Sequence, residues 1–201
     1  MSEHTKSRNM KDSIPKYLGQ VVLIVFSVVL GLYLSEKIED RKNVRNAQEL
    51  FSKIDSELKT NKQLLDNWVP YHKEIIDRLD ILSNDNRFIE TFIIDKSEIY
   101  EAFTRGTIMS EMPSSDAWDI AKAHPLMVNI DYDKLLILSK VYNQQEFTYE
   151  SIPEIIDLMI SPSFNSKDRA EQNVQLFRDK LQEVYGREIQ LLNYYNEAVK
   201  L

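Results

Sequence analysis

Two stretches of this sequence gather the residue types from which chemistry is made. Ser114, Ser115, Asp116, Trp118, Asp119 and His124 bring hydroxyls, carboxylates, an indole and an imidazole close together, and Trp68, Tyr71 and His72 form a second, aromatic group. Held between helices, such residues line a polar pocket. They also have a plainer use: Ser and Asp cap helices, and Trp anchors a core. Metal chemistry finds little support. His72 and Glu74 make a lone His-x-Glu, and outside the N-terminal tail the one other histidine is His124. Zinc needs several His or carboxylate ligands in defined geometry, and a bundle di-iron site needs two Glu-x-x-His pairs. The sequence holds neither these pairs nor a P-loop, a Rossmann glycine fingerprint, His-Glu-x-x-His or Gly-x-Ser-x-Gly. It also has no cysteine, which removes thiolate catalysis, disulfides and Cys-ligated metals. Its carboxylates are spread over helix faces, where solvated surface is the ordinary role. No enzyme, metal or cofactor is therefore expected.

The elements that must position these residues are helices. The chain has 201 residues, with only four Gly and six Pro, and is rich in Leu, Ile, Glu, Lys, Asn and Gln, a composition that favours an all-α fold. Of the net charge of −7, residues 1–16 contribute +2, so the remainder carries −9. Nucleic-acid binding needs a basic stripe to displace counterions from phosphates, and an acidic helical domain offers none.

From Tyr17 to Ser35 no side chain is charged. At ~1.5 Å rise per residue this run reaches roughly 28 Å, about the hydrocarbon thickness of a bilayer. Ser13 is placed to cap it, with Ile14 and Pro15 in the first turn. Tyr17 and Tyr33 suit the interfaces, and Lys16 and Lys37 can snorkel to headgroups. Leu32 to Ser35 offers no Ala-x-Ala cleavage pattern, so a retained anchor is expected rather than a signal peptide. Ser27 and Gly31, with Gly19 and Gln20 two turns earlier, form a small-residue face of the kind that lets membrane helices approach. Gly and Ser are also ordinary in such helices. Lys6, Arg8, Lys11 and Lys16 on one flank match Lys37, Arg41, Lys42 and Arg45 on the other, so the charge rule ties. The short basic tail is expected to stay in the cytoplasm, with the acidic domain translocated into the periplasm across the bacterial inner membrane.

Neither Gly nor Pro interrupts Leu32 to Val69, so the membrane helix is expected to continue as a stalk. Heptad spacing puts Val44, Ala47, Phe51, Ile54, Leu58, Asn61, Leu65, Trp68, His72, Ile75, Leu79 and Leu82 on one seam. Asn61 would set register in a coiled coil or sit at the edge of an intramolecular bundle. Pro70 should kink or break the helix near Trp68. A second seam runs through Val174, Phe177, Leu181, Val184, Glu188, Leu191, Tyr195 and Ala198. Two such long helices bury their stripes most simply by lying antiparallel.

Between them, Ser83 to Arg87 reads as a loop and Phe88 to Ile94 as an extended connector. Asp95 and Glu98 have capping-box spacing for a short helix through Ile99, Ala102 and Phe103, stopped by Gly106. Ser114 or Ser115 should cap Asp116 to Ala123, which Pro125 closes. Asp131 should cap a helix carrying Leu135, Leu138, Val141 and Tyr142. Ser151 and Glu154 suggest another capping box, with Ile155 to Ile160 starting afresh after Pro153. The expected divisions are a polar tail at 1–13, a transmembrane helix at 14–35, a stalk at 36–82, a connector with short helices at 83–165 and a long C-terminal helix at 166–201.

The stretches LGQVVLIVFSVVLGLYLSEKIEDRKN and SSDAWDIAKAHPLMVNIDYDKLLILSKVYN together resemble an uncharacterised family of small bacterial single-pass membrane proteins known only as a domain of unknown function. Members usually carry Gly or Ser-Gly after the short helix, where this chain has Ala123, His124 and Pro125. The resemblance implies topology and orientation and transfers no catalytic residue. The function expected from the whole reading is a non-enzymatic helical interaction or scaffold module of the bacterial envelope, bound to the lipid bilayer, with an envelope protein or a second copy as partner. The alternative is a periplasmic small-ligand sensor in which a kink at Pro70 or Pro153 lets binding shift a helix.

Overall fold

The computed structural model describes residues 14–94, 99–164 and 166–201, which form helices and no strand. The fold is an all-α bundle. In order come α1 (Ile14–Leu82), α2 (Asn86–Ile94), α3 (Ile99–Ala102), α4 (Asp116–Lys122), α5 (Tyr132–Tyr149), α6 (Ser151–Ile160) and α7 (Ala170–Ala198). Short 3-10 turns at Pro125–Asn129 and Lys167–Arg169 precede α5 and α7. The chain divides into two compact units, Met1–Ala47 and Gln48–Leu201.

The first unit contains the N-terminal part of α1. Its best window has a mean hydropathy of 2.2 with no residue buried, so this helix is long and apolar enough to cross a membrane. Tyr17 and Tyr33 are exposed like the aliphatic residues between them, and the Lys37 ammonium lies 5.9 Å from the Tyr33 ring centroid. Ser27 Oγ donates to the Leu23 carbonyl at 2.8 Å, which satisfies the hydroxyl within its own helix. Gly19 and Gly31 have open space where a Cβ would stand. Ser13 lies outside the described residues.

The second unit is built on the two seams. Ile54, Leu58, Leu65, Ile75 and Leu79 from α1 and Phe177, Leu181, Val184 and Leu191 from α7 are each at most 1% exposed. Each such side chain stabilises the fold by about 1.5–3 kcal/mol. Val44, in the first unit, is exposed. Direction follows from the pairs that meet: His72 touches Glu188 and Asp80 touches Arg178, so α1 and α7 run antiparallel. Glu57 reaches Tyr142 and Asn61 reaches Gln145, so α5 lies parallel to α1. Below these layers, Phe177 meets the edges of Phe103 and Phe164 with centroids 5.9 and 6.2 Å away.

Several local expectations are corrected. Phe88–Ile94 is not extended but belongs to α2, and the loop before it closes at Asp85. The Asp85 carboxylate accepts from Arg87 N at 2.9 Å, capping the turn, while Phe88 and Ile89 are buried. Adjacent apolar residues repeating at 88–89 and 92–93 in the sequence fit a helical stripe as well as a strand, so the pattern alone does not separate the two. Pro70 does not break α1, which is helical on both sides of it. The flanking Trp68, Val69, Tyr71 and His72 are all buried, and that packing outweighs the lost N–H. Ser151 and Glu154 do not form a capping box: α6 begins at Ser151 without a side-chain cap, and Pro153 sits in its first turn. The Ser151 hydroxyl instead accepts from Arg187 at 3.0 Å. Gly106, at φ 70°, closes a turn onto the Phe103 carbonyl rather than ending α3 directly. Asp95 and Glu98 lie outside the described residues.

Candidate functional site

Residues 103–115 form an irregular strap laid against α1 and α5. A segment this long without secondary structure leaves its backbone polar groups to be satisfied by something else. Side chains from the helices satisfy them. The Tyr71 hydroxyl donates to the Thr107 carbonyl at 2.8 Å and accepts from Arg105 N at 3.2 Å. His72 Nε2 meets the Ile108 carbonyl at 2.9 Å. Gln145 Nε2 donates to the carbonyls of Pro113 and Ser114 at 3.0 and 3.2 Å. Asn61 binds Ser114 at both ends, its amide donating to the carbonyl at 2.6 Å and its oxygen accepting from the N–H at 3.0 Å. The strap returns contacts of its own, among them the Thr104 hydroxyl donating to Glu74 at 3.2 Å. The Arg105 guanidinium stands 4.4 Å from the Tyr71 ring centroid and 5.5 Å from that of Trp68.

At the strap's end the start of α4, for which Ser114 or Ser115 is the expected cap, is held by Ser114, whose hydroxyl accepts from Asp116 N at 3.1 Å, and by Glu57 of α1. Ser115 makes no side-chain cap, its hydroxyl donating instead to Asp119 at 2.8 Å. The Glu57 carboxylate accepts from Ala117 N at 2.8 Å and Trp118 N at 3.3 Å, the free donors at the start of α4. It also accepts from the hydroxyls of Ser114 at 2.9 Å and Tyr142 at 2.7 Å. One carboxylate thus joins α1, the strap, α4 and α5.

Deeper in the bundle His72, Glu188 and Tyr149 form a buried rung across α1, α7 and α5. His72 and Glu188 are 0% exposed, with Nδ1 and Oε2 2.6 Å apart, and the Tyr149 hydroxyl donates to Oε1 at 3.2 Å. Because a carbonyl only accepts, Nε2 of His72 must carry a hydrogen toward Ile108. The short contact to Glu188 then requires one further proton, held by Nδ1 or by the carboxyl. Either placement leaves the pair neutral overall, which suits a dry site. A second rung joins Tyr195 of α7 to Gln145 of α5, which in turn meets Asn61. Burial above all, then the nearby carboxylates, pushes the hydroxyls of Tyr142 and Tyr149 far above their ordinary range. Burial does the same for Tyr195. All three remain donors at neutral pH. Trp68 stacks on His72 with centroids 5.8 Å apart, and its indole N–H is buried without a hydrogen-bond partner among the described residues.

Two concavities flank the strap. The first, about 400 Å³, is a polar cleft walled by Trp118, Tyr142, Asp119, Lys122, Glu146 and Tyr149. Trp118 and Tyr142 lie parallel within 2°, their centroids 5.3 Å apart. The second, also about 400 Å³, is an apolar groove between the strap and α6, lined by Phe103, Ile108, Met109, Ile152, Ile156 and Ile160. Met112 of the strap borders both.

The two sequence clusters therefore meet through one segment. Trp68, Tyr71 and His72 hold its first half, and Ser115 and Trp118 stand at its end. His124 takes no part: it is exposed, and its Nδ1 accepts from Leu126 N at 3.2 Å, capping the 3-10 turn that Pro125 begins. Glu74 is exposed, pairs with Arg78 at 3.1 Å and accepts from Thr104 at 3.2 Å, apart from the buried partners of His72. No group of three or more metal-ligating side chains occurs among the described residues. Sequence reasoning passed over Glu57, Gln145, Tyr149 and the partnership of His72 with Glu188. The available signal was the three polar residues, Asn61, His72 and Glu188, standing on otherwise apolar seams. Glu57 and Gln145 lie off those seams and gave no sign.

Comparison of the chain with protein-family models, curated proteins and solved structures found no match.

Proposed function

We propose that the chain is a non-enzymatic helical interaction module, tethered to the bacterial inner membrane by α1, whose strap and apolar groove dock another envelope protein or a second copy of itself. The groove carries this reading. Ile156 is 49% exposed and Ile160 67%, on a concave face whose other wall, the strap, is fixed by helix side chains. Apolar surface held in a preset concave shape is what a docking site offers at low ordering cost. The apolar stretch of α1 supports the tether, and the family resemblance supports a tail in the cytoplasm and a domain in the periplasm.

The test is gentle detergent extraction of the tagged chain, with mass spectrometry of whatever co-purifies and light scattering for self-association. A specific partner, or a dimer, should be recovered with the native chain and lost with Ile156→Glu/Ile160→Glu. A native chain that is monomeric and alone sinks the reading. Protease access to the N-terminal tail in intact spheroplasts tests the orientation, and digestion from outside inverts it. A second reading, a small-ligand sensor, draws on the polar cleft beside Trp118.

A further inference from the structure

We infer that this cleft binds a small organic ammonium ion. The inference rests on the sensor reading and names the ligand class that its walls would select. Three features lead there together. First, the cleft is concave and its volume of about 400 Å³ suits a molecule of a few to a dozen heavy atoms rather than a peptide. Second, its wall is aromatic: the parallel Trp118–Tyr142 pair with Tyr149 beside it. Aromatic rings attract cations through their quadrupole, and Trp does so most strongly.

Third, its charge is unbalanced. Lys122 is already engaged by Asp119 at 2.6 Å, which leaves Glu146 as the cleft's uncompensated charge. The Glu146 carboxylate has no ion-pair or hydrogen-bond partner among the described residues. Asp119 also accepts from Ser115, and these two contacts hold it ionised below the usual carboxylate range. An anion would face two carboxylates, and a neutral apolar ligand would desolvate them without return. A compact cation offsets the unpaired charge and covers the aromatic wall at once.

The wall is also held in place before any ligand arrives. The Tyr142 hydroxyl is tied to Glu57 at 2.7 Å, and Glu57 holds the start of α4, which bears Trp118. Binding there would therefore bear on the strap and on α1 through Glu57, a route by which an occupied cleft reaches the helix that carries the anchor sequence.

The test titrates choline and putrescine into the purified full chain in detergent, by calorimetry and by tryptophan fluorescence. The control is 3,3-dimethylbutan-1-ol, the uncharged isostere of choline. At least one cation should bind with a Kd below about 1 mM, and the isostere at least tenfold more weakly. Glu146→Gln, an exposed change that leaves the fold intact by thermal melting, should weaken binding about fivefold. Trp118→Phe should weaken it further than Glu146→Gln. Failure of both cations to bind, equal binding of the isostere, or unchanged affinity in Glu146→Gln overturns the inference. The double variant in the apolar groove should keep cation binding, so loss of partner docking and loss of cation binding are separable results.

Discussion

Between Tyr17 and Ser35 helix α1 is apolar on every side and buries none of it within the chain, whereas between Ile54 and Leu79 it presents one buried stripe and charges elsewhere. In the first stretch the Ser27 hydroxyl is satisfied within its own helix, donating to the Leu23 carbonyl. The second admits Asn61 and His72 to full burial because other elements bring partners to them. The difference teaches what polar residues in a core are for. Those of the bundle hold an irregular strap whose backbone would otherwise be left unsatisfied.

The contrast breaks most severely at the buried rung. His72→Ala should lower unfolding free energy by about 3–5 kcal/mol, because Glu188 is left buried without its main partner. The double change His72→Leu/Glu188→Leu should cost much less than the sum of the single changes. Chemical denaturation of the four proteins checks it, and additive losses would show that the pair is not coupled. Next comes the span. Val25→Asp places a charge in the middle of the apolar run and should disfavour insertion by about 2.5–3.5 kcal/mol. The readout is the fraction of chain in carbonate-washed membranes, and an unaltered fraction speaks against a bilayer around this segment.

Glu57→Ala removes the cap of α4 and the partner of Tyr142, a loss of about 2 kcal/mol in denaturation. Hydrogen exchange should rise at Ala117 and Trp118 more than elsewhere; uniform exchange would deny Glu57 its capping role. The buried tyrosines then predict a pH dependence. Their raised values mean that the folded chain keeps protons which the unfolded chain releases above about pH 10. Stability is therefore undiminished below that pH and falls as pH rises above it, by about 1.4 kcal/mol per pH unit for each such tyrosine. Melting temperatures from pH 8 to 11.5 should show the fall, with a shallower slope in Tyr149→Phe. The smallest effect belongs to the exposed Lys59–Asp55 pair, 2.6 Å apart. Lys59→Ala should change stability by less than about 0.5 kcal/mol.

The long helices were legible because period and composition act locally. Every residue of the α7 seam from Val174 to Ala198 is buried, Glu188 and Tyr195 included. The α1 seam holds from Ile54 to Leu79, and Asp131 caps α5 as its position suggests, accepting from Asp133 N at 3.0 Å. Reading failed where two structures satisfy one pattern. Phe88–Ile94 suits strand or helix, and of the two serines before α4 it is Ser114, not Ser115, that bonds to the helix start, with Glu57 reaching the next two donors from another helix.

What the sequence determined by itself is therefore the helical class, the apolar run near the N-terminus and the faces that turn inward, since each follows from the order of side chains along one helix. What only the tertiary structure decided is why three polar residues sit on those faces. Asn61, His72 and Glu188 lie far apart in sequence from what they bind: Ser114 for Asn61, Ile108 for His72, and 116 positions between His72 and Glu188 themselves. A hydrogen bond depends on distance and direction in space, and no local pattern encodes a partner that the chain reaches only after folding.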